Sequence, residues 1–174
     1  MAGNIASLLG LLHNWQTDDP VKQSSACATL QSLSRTPGVK DTIRDAGGIP
    51  LLIAPLVGEN AAESEVAQAA AGTLQNLSRN IANKDAIREV CGIAALVALL
   101  HHAETEAAEY AAAALGVLSR DNAANKDAIR EAGGIVPLIS LLRHGVTSAA
   151  SQKDQLLRTP CLADIIRCRM DFQT

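Results

Sequence analysis

The stretch Asn83-Lys84-Asp85-Ala86-Ile87-Arg88-Glu89 returns almost unchanged as Asn125-Lys126-Asp127-Ala128-Ile129-Arg130-Glu131. A weaker copy, Lys40 to Asp45, lies upstream, and a Gly-Ile pair follows each copy. The glycines of these pairs are residues 48, 92 and 134, so they recur after 44 and 42 residues. A repeat of this length indicates a stacked helical solenoid, in which each unit buries a face against its neighbour.

The repeated heptapeptide predicts a short first helix in each unit, from Lys84 to Val90 and from Lys126 to Ala132. Asn83 and Asn125 are predicted to cap the N-termini of these helices. An aspartate and an arginine three residues apart in each copy predict exposed ion pairs, each worth about 0.2 to 0.5 kcal/mol. Gly92 and the glycine pairs at 47–48 and 133–134 are expected to end the first helices, because glycine accepts a left-handed conformation.

Two further helices complete each unit. Apolar spacing predicts second helices over 5–13, 49–57, 93–102 and 135–143, and third helices over 20–34, 64–78 and 105–119. Pro20 suits a first helical position, and Ser64 and Thr105 are predicted caps. The third helices are predicted to bury one stripe of side chains: Ala26, Leu30, Leu33, Ala70, Leu74, Leu77, Ala111, Leu115 and Leu118.

These motifs together resemble the armadillo repeat. The Gly-Ile turn, the leucine-rich second helix, the alanine-rich third helix with Leu-x-Asn-Leu, and Asn-Lys-x-x-Ile-Arg-Glu carry the resemblance over residues 4 to 145. It implies an all-α, right-handed superhelical solenoid of three-helix repeats, whereas HEAT repeats, built of two helices, are the alternative. We expect one solenoid domain over 1–145, with repeats at about 4–47, 48–91 and 92–133 and a partial fourth at 134–145. Residues 146–174 leave the pattern and are expected to be a cap or a disordered tail.

In armadillo proteins the third helices line a concave groove that holds extended peptides, often through a ladder of asparagines. The resemblance places that asparagine at Asn76, with Ser32 and Val117 at the matching positions of the flanking copies. Residues three and four positions away lie on the same helical face. The predicted groove residues are Ser24, Ala28, Ser32, Arg35, Gln68, Gly72, Asn76, Arg79, Glu109, Ala113, Val117 and Arg120.

The predicted groove has three features that bear on its ligand. Small residues at positions 28, 72 and 113 would let a partner backbone approach, and they stand where nuclear-import adaptors of this family carry tryptophan; the chain's Trp15 falls in a predicted loop. Arg35, Arg79 and Arg120 form a row suited to carboxylates or peptide carbonyls. The same arginines could instead neutralise the carbonyls at helix C-termini. Asn76, likewise, could simply bond the backbone of its neighbours.

Composition excludes several function classes. Hydrophobic residues make up 48% of the chain but aromatic residues only 2%, which argues against stacking platforms for bases or sugars. A net charge of −3 without a basic run argues against nucleic-acid binding, and no apolar stretch is long enough to predict membrane insertion. The histidines, including the adjacent His101 and His102, lack metal-ligand geometry, so neither a cofactor nor catalysis is expected.

The four cysteines show no Cys-x-x-Cys spacing, and Cys27 and Cys91 are predicted to be small buried hydrophobes. They favour a reducing compartment, cytoplasmic or nuclear. We therefore predict a non-catalytic scaffold or adaptor that binds a protein or peptide, favouring acidic segments, along its third helices. The alternative is a recognition or spacer arm of a larger assembly, such as a ubiquitin ligase or a vacuole-associated adaptor; a nuclear-import adaptor fits less well.

Overall fold

The computed structural model describes residues 2–13, 19–36, 38–58, 60–102 and 104–145. Within these ranges all regular structure is helical and no strand occurs. Ten α-helices follow in chain order: α1 Ala2–His13, α2 Pro20–Leu33, α3 Val39–Asp45, α4 Gly48–Ile53, α5 Glu65–Leu77, α6 Ile81–Glu89, α7 Gly92–Leu99, α8 Glu106–Ser119, α9 Ala123–Glu131 and α10 Ile135–Gly145. Trp15, predicted to lie in a loop, and residues 146–174, predicted to form a cap or a disordered tail, lie outside the described residues.

The helices form three rows, as the repeat predicts. The third helices α2, α5 and α8 pack side by side, and the first helices α3, α6 and α9 form a second row. Each third helix also packs against the second helix of its own repeat, α1, α4 or α7. The predicted core stripe is buried in all three repeats except at Leu33, which is partly buried. The prediction of an all-α solenoid of three-helix repeats is thus confirmed.

The predicted starts of the third helices are also confirmed. Pro20 is the first residue of α2, and the Asp19 carboxylate before it accepts a hydrogen bond from Val21 N at 3.0 Å. The hydroxyl of Ser64 accepts from Ala67 N, and that of Thr105 accepts from Ala108 N at 3.2 Å. Side-chain capping of this kind satisfies amide groups that the first helical turn leaves without a partner.

The prediction that Asn83 and Asn125 are N-caps is wrong. The first helices begin earlier, at Ile81 and Ala123, and the capping residues are Asn80 and Asn122. The side-chain oxygen of Asn80 accepts from Ala82 N at 2.9 Å, and that of Asn122 accepts from Asn125 N at 3.0 Å. In each of these two repeats a pair of asparagines three residues apart could cap the helix, and the upstream asparagine does so.

Asn83 and Asn125 are instead fully buried between repeats. Asn83 donates from Nδ2 to Leu77 O at 3.2 Å and to Lys40 O at 3.4 Å, and its Oδ1 accepts from Arg44 at 3.1 Å. Asn125 repeats this arrangement with Leu118 O, Lys84 O and Arg88. A buried amide with its donors and its acceptor all in use is stable in a core, so these residues specify how successive repeats stack.

The capping asparagines contribute to the same contact. The Asn80 amide donates to Asp41 Oδ1 at 2.9 Å, and the Asn122 amide donates to Asp85 Oδ1 at 3.1 Å. Both acceptor aspartates also form ion pairs, the expected Asp85–Arg88 and the equivalent Asp41–Arg44 of the first repeat. An Asp-x-x-Arg sequence in one first helix therefore meets an Asn-x-x-Asn sequence in the next, an arrangement that we call the inter-repeat clamp.

The glycines after the first helices have two distinct roles. Gly47 and Gly133 adopt φ values of 71° and 74°, as predicted for a helix end, but in the middle repeat Cys91, with φ 59°, occupies that position instead of Gly92. Gly92 is required by packing, because a Cβ atom there would lie 2.7 Å from Ile87 Cγ2 and 2.8 Å from Ile87 O. Cys91 is exposed, contrary to the prediction, since a left-handed turn places it at the surface; Cys27 is buried as expected.

The second helix of the middle repeat is shorter than predicted. Its α-helical part, α4, ends at Ile53 and continues as a 3-10 helix over Ala54–Leu56. Pro55 has no N–H group and cannot donate the next α-helical hydrogen bond. In the following repeat, α7 ends at Leu99, three residues before the predicted end.

Candidate binding surface

The predicted groove residues lie on α2, α5 and α8 or just beyond their C-terminal ends, and we call this set the third-helix surface. Contacts between helices tie this surface together: Ser24 Oγ donates to Glu65 Oε2 at 3.1 Å, and Gln68 Nε2 donates to Glu106 Oε2. Exposed members are Ala28, Ser32, Arg35, Arg79 and Arg120. Half-buried members are Ser24, Gln68, Glu109, Ala113 and Val117, and buried members are Gly72 and Asn76.

Asn76 is only 9% exposed and already links two repeats. Its Nδ2 donates to Gln31 O at 3.2 Å and to Ser34 Oγ at 3.0 Å. Ser34 Oγ in turn donates to Gln31 O at 2.7 Å, which leaves the hydroxyl oxygen free to accept from Asn76. The NH2 group of the Asn76 side chain therefore bonds neighbouring residues, which is the second of the two roles that the sequence allows for Asn76. Its Oδ1 receives no hydrogen bond from any residue that the structure describes.

The space expected above Gly72 is not empty. A Cβ atom at this position would lie 2.8 Å from Gln31 Cδ, so the Gln31 side chain from the preceding third helix rests on the glycine. Gln31 is half-buried, and its end is a flexible carboxamide that can rotate away from the surface. The expectation of an open approach at position 72 is therefore corrected, because Gln31 covers it.

The three arginines stand at the C-terminal ends of the third helices. Arg35, Arg79 and Arg120 are exposed, and among the described side chains none of the three has a carboxylate or carbonyl partner. At Arg120 the main-chain carbonyl is bonded by Lys84 Nζ. The guanidinium groups thus make no direct hydrogen bonds to the helix ends, and all three are available to a ligand.

Carboxylates stand at the opposite, N-terminal ends of two of these helices, α5 and α8. Glu65 and Glu106 are exposed and Glu109 is half-buried, and within the described part of the chain none of them pairs with a cation. Sequence reasoning missed Glu65 and Glu106 because it ended the face at Gln68 and Glu109, one step of three residues short of them. Eleven residues are almost three full turns, so Glu65 and Glu106 share the faces of Asn76 and Val117.

Two classes of site find no support in the described ranges. No group of three histidine, cysteine, aspartate or glutamate residues there could hold a metal ion. No described helix is both long and apolar enough to cross a membrane.

Burial raises the pKa of the Cys27 thiol to about 12, so this cysteine is protonated at neutral pH.

Comparison with known proteins supports the fold. The family described as Armadillo-like matches residues 2–92. No curated protein sequence matches the chain. An engineered protein of solved structure is 28% identical and superimposes with a TM-score of 0.75, covering 92% of this chain and 62% of that one.

Two designed proteins extend the comparison. One, described as computationally designed armadillo repeat proteins for modular peptide recognition, is 22% identical with a TM-score of 0.77, covering 94% of this chain and 65% of that one. Another, a designed armadillo repeat protein in complex with the peptide (KR)4, is 19% identical with a TM-score of 0.72, covering 94% and 64%. At these identities the likeness concerns the fold alone. The chain spans less than two thirds of the length of each of these structures.

Proposed function

From the premise that this chain belongs to the armadillo-like family, we propose that its third-helix surface binds an extended segment of a partner protein. The protein then acts as a non-catalytic scaffold or adaptor. The observation that carries the proposal is the row formed by Arg35, Arg79 and Arg120, three exposed guanidinium groups on one surface without a carboxylate partner among the described residues. Designed proteins of the same fold that bind peptides support the proposal.

Two chemical features of the surface suit a peptide. Asn76 Oδ1 is an acceptor without a described partner, and a main-chain N–H group of a ligand can donate to it whatever the ligand sequence. The arginines favour carboxylates or phosphates through charge-assisted hydrogen bonds. Because these arginines are exposed, each adds only about 0.2 to 1 kcal/mol, and salt weakens that attraction.

Selection of peptides from a random display library on the intact chain tests the proposal. Synthetic copies of the selected peptides are then titrated into the parent, Arg79→Ala and Arg130→Ala variants. Arg130 is a matched control, since it is an exposed arginine on the first-helix row, 61% exposed and paired with Asp127. We expect Arg79→Ala to weaken binding about two- to fivefold and Arg130→Ala to leave it unchanged. Loss confined to Arg130→Ala, or the absence of any selected peptide, would contradict the proposal and favour the spacer-arm alternative.

A further inference from the structure

The charges of this protein are distributed unevenly between its two rows of helices. The described ion pairs lie on the first helices, between Asp41, Arg44 and Asp45, Asp85 and Arg88, and Asp127 and Arg130, or at the start of α2, between Asp19 and Lys22. On the third helices α5 and α8, in contrast, acids and bases stand apart. We call Arg35, Arg79 and Arg120 the basic edge, and Glu65, Glu106 and Glu109 the acidic edge.

The helix geometry sets the distance between the two edges. Glu65 and Arg79 are 14 residues apart, as are Glu106 and Arg120. The helices α5 and α8 run from Glu65 to Leu77 and from Glu106 to Ser119, so at 1.5 Å per residue their two ends lie about 18 to 20 Å apart, and the arginines stand just beyond the C-terminal ends. This separation is too long for the acids of one edge to form ion pairs with the arginines of the other edge. Both sets of charges are therefore available to a ligand.

Between the two edges runs a strip of small residues. Gly72 is seven positions from both Glu65 and Arg79, and Ala113 is seven positions from both Glu106 and Arg120. Ala28 occupies the same place in the first repeat. The flexible Gln31 side chain covers part of this strip, at Gly72. A peptide backbone that followed the strip would cross the third helices and lie about 10 Å from each edge.

An extended peptide in that position presents its side chains to both edges in turn. Successive side chains of an extended chain point to opposite sides, with a period of two residues. The odd-numbered side chains of the peptide then point towards one edge, for example the basic edge, and the even-numbered side chains point towards the acidic edge. Acidic residues are favoured in the first set and lysine or arginine in the second, because like charges placed opposite one another repel.

We propose that the third-helix surface prefers extended segments in which acidic and basic residues alternate. This inference rests on the proposed function and names the ligand class that the surface selects. It differs from a preference for acidic segments alone, since the acidic edge would repel every second residue of such a ligand. The buried Asn76, whose Oδ1 has no described partner, lies on the same surface and adds a sequence-independent contact to the ligand backbone.

Peptides of identical composition but different order test the proposal. An eight-residue extended chain spans about 26 Å, enough to cross three helices packed about 8 to 10 Å apart. The probes are the alternating peptide EKEKEKEK, the block peptide EEEEKKKK, the all-basic peptide KRKRKRKR and the uncharged peptide QSQSQSQS, each labelled with a fluorophore and titrated by anisotropy into the intact chain at low and high salt. We expect the alternating peptide to bind on the order of tenfold more tightly than the block peptide at low salt.

Charge-reversal variants identify the surface that makes the distinction. Arg79→Glu should remove the advantage of the alternating peptide over the block peptide, whereas Arg130→Glu on the first-helix row should preserve it, provided that both variants retain the parent circular dichroism. Equal affinity for the alternating and block peptides, or tighter binding of the all-basic peptide, would overturn the charge-order inference while leaving peptide binding intact. If none of the four peptides binds at low salt, the proposed function itself fails.

Discussion

At the scale of single residues, asparagine serves three different purposes in this chain. Asn80 and Asn122 cap helices, while Asn83 and Asn125 are buried in the inter-repeat clamp. Asn76 bonds the preceding third helix with its amide group and keeps its carbonyl oxygen without a described partner. The side chain is the same in all cases, so burial and the neighbouring carbonyl groups decide which purpose it serves.

The clamp asparagines give the first prediction. Asn125→Ala should lower the free energy of unfolding by about 1 to 3 kcal/mol, because Leu118 O and Lys84 O lose a donor inside the structure and Arg88 loses an acceptor. Urea denaturation followed by circular dichroism measures the change. Asn4→Ala, at an exposed position of α1, is the control and should stay within about 0.5 kcal/mol of the parent. Similar losses in both variants would show that the clamp does not stabilise the stack.

The two cysteines in the described ranges give the second prediction. Cys27 is fully buried and its thiol has a pKa of about 12, whereas Cys91 is exposed. Since the thiolate is the reactive form, iodoacetamide at pH 8 should alkylate Cys91 and leave Cys27 unmodified until the protein is unfolded. Peptide mapping by mass spectrometry measures both sites. Modification of Cys27 at the rate of Cys91 in the native protein would contradict this account of the core.

Particular residues show how far sequence reasoning reaches at this scale. The core leucines, the Ser64 and Thr105 caps and the Asp–Arg ion pairs could be predicted, because each depends on local spacing alone. The burial of Asn83 and Asn125 could not, since it depends on contacts with a repeat about 40 residues away. The exposure of Cys91 and the cover that Gln31 places over Gly72 are likewise products of the fold.

At the scale of the helices, the three rows divide the charged residues between them. The first helices pair their own aspartates and arginines and bind the asparagines of the next repeat. The third helices α5 and α8 keep acids at their N-terminal ends and arginines just beyond their C-terminal ends, which also suits the helix dipole. Sequence spacing predicted the basic edge and Glu109 of the acidic edge, but the predicted face ended before it reached Glu65 and Glu106. The first-helix row therefore pairs its charges within the stack, while α5 and α8 present unpaired charge.

The charge of the first-helix row gives a prediction on pH. Hydrogen bonds from Asn122 and Arg88 lower the pKa of the Asp85 carboxyl below its usual value of 3.8. A lowered pKa means that the charged form stabilises the folded state above the usual carboxyl range, and that this contribution is lost as pH falls through the lowered pKa. Asp85→Asn should therefore destabilise the protein at pH 7, and its difference from the parent should shrink on acidification below pH 3.8.

Asp127→Asn is the matched control for that experiment. Asp127 pairs with Arg130 as Asp85 pairs with Arg88, but no described asparagine donates to it. Thermal unfolding of the parent and both variants at a series of pH values should show the smaller effect at Asp127. An equal effect of the two substitutions at pH 7 would mean that the contact between Asp85 and Asn122 adds nothing to stability.

At the scale of the whole molecule, repetition separates stability from binding. Each repeat buries leucine and alanine side chains and clamps its neighbour through the first helices, whereas the exposed side chains of Arg35, Arg79 and Arg120 form no ion pair within the described stack. The repeat period and the resemblance were sufficient to predict the architecture, and the structure and the family match confirm it. The ligand could not be predicted with the same detail, because it depends on how charges from three separate repeats are arranged across one surface.

The most direct test of the central claim is a map of peptide-induced amide shifts in the two-dimensional NMR spectrum of the intact, isotope-labelled chain, measured with a peptide from the library selection. Peptide binding on the third-helix surface predicts shifts at the backbone amides of Gly72, Ala113 and Arg79, and at the side-chain amide of Asn76, whose carbonyl oxygen accepts a new hydrogen bond. The first helices α3, α6 and α9 should remain unchanged. Shifts concentrated on those helices, with none on α2, α5 and α8, would contradict the claim.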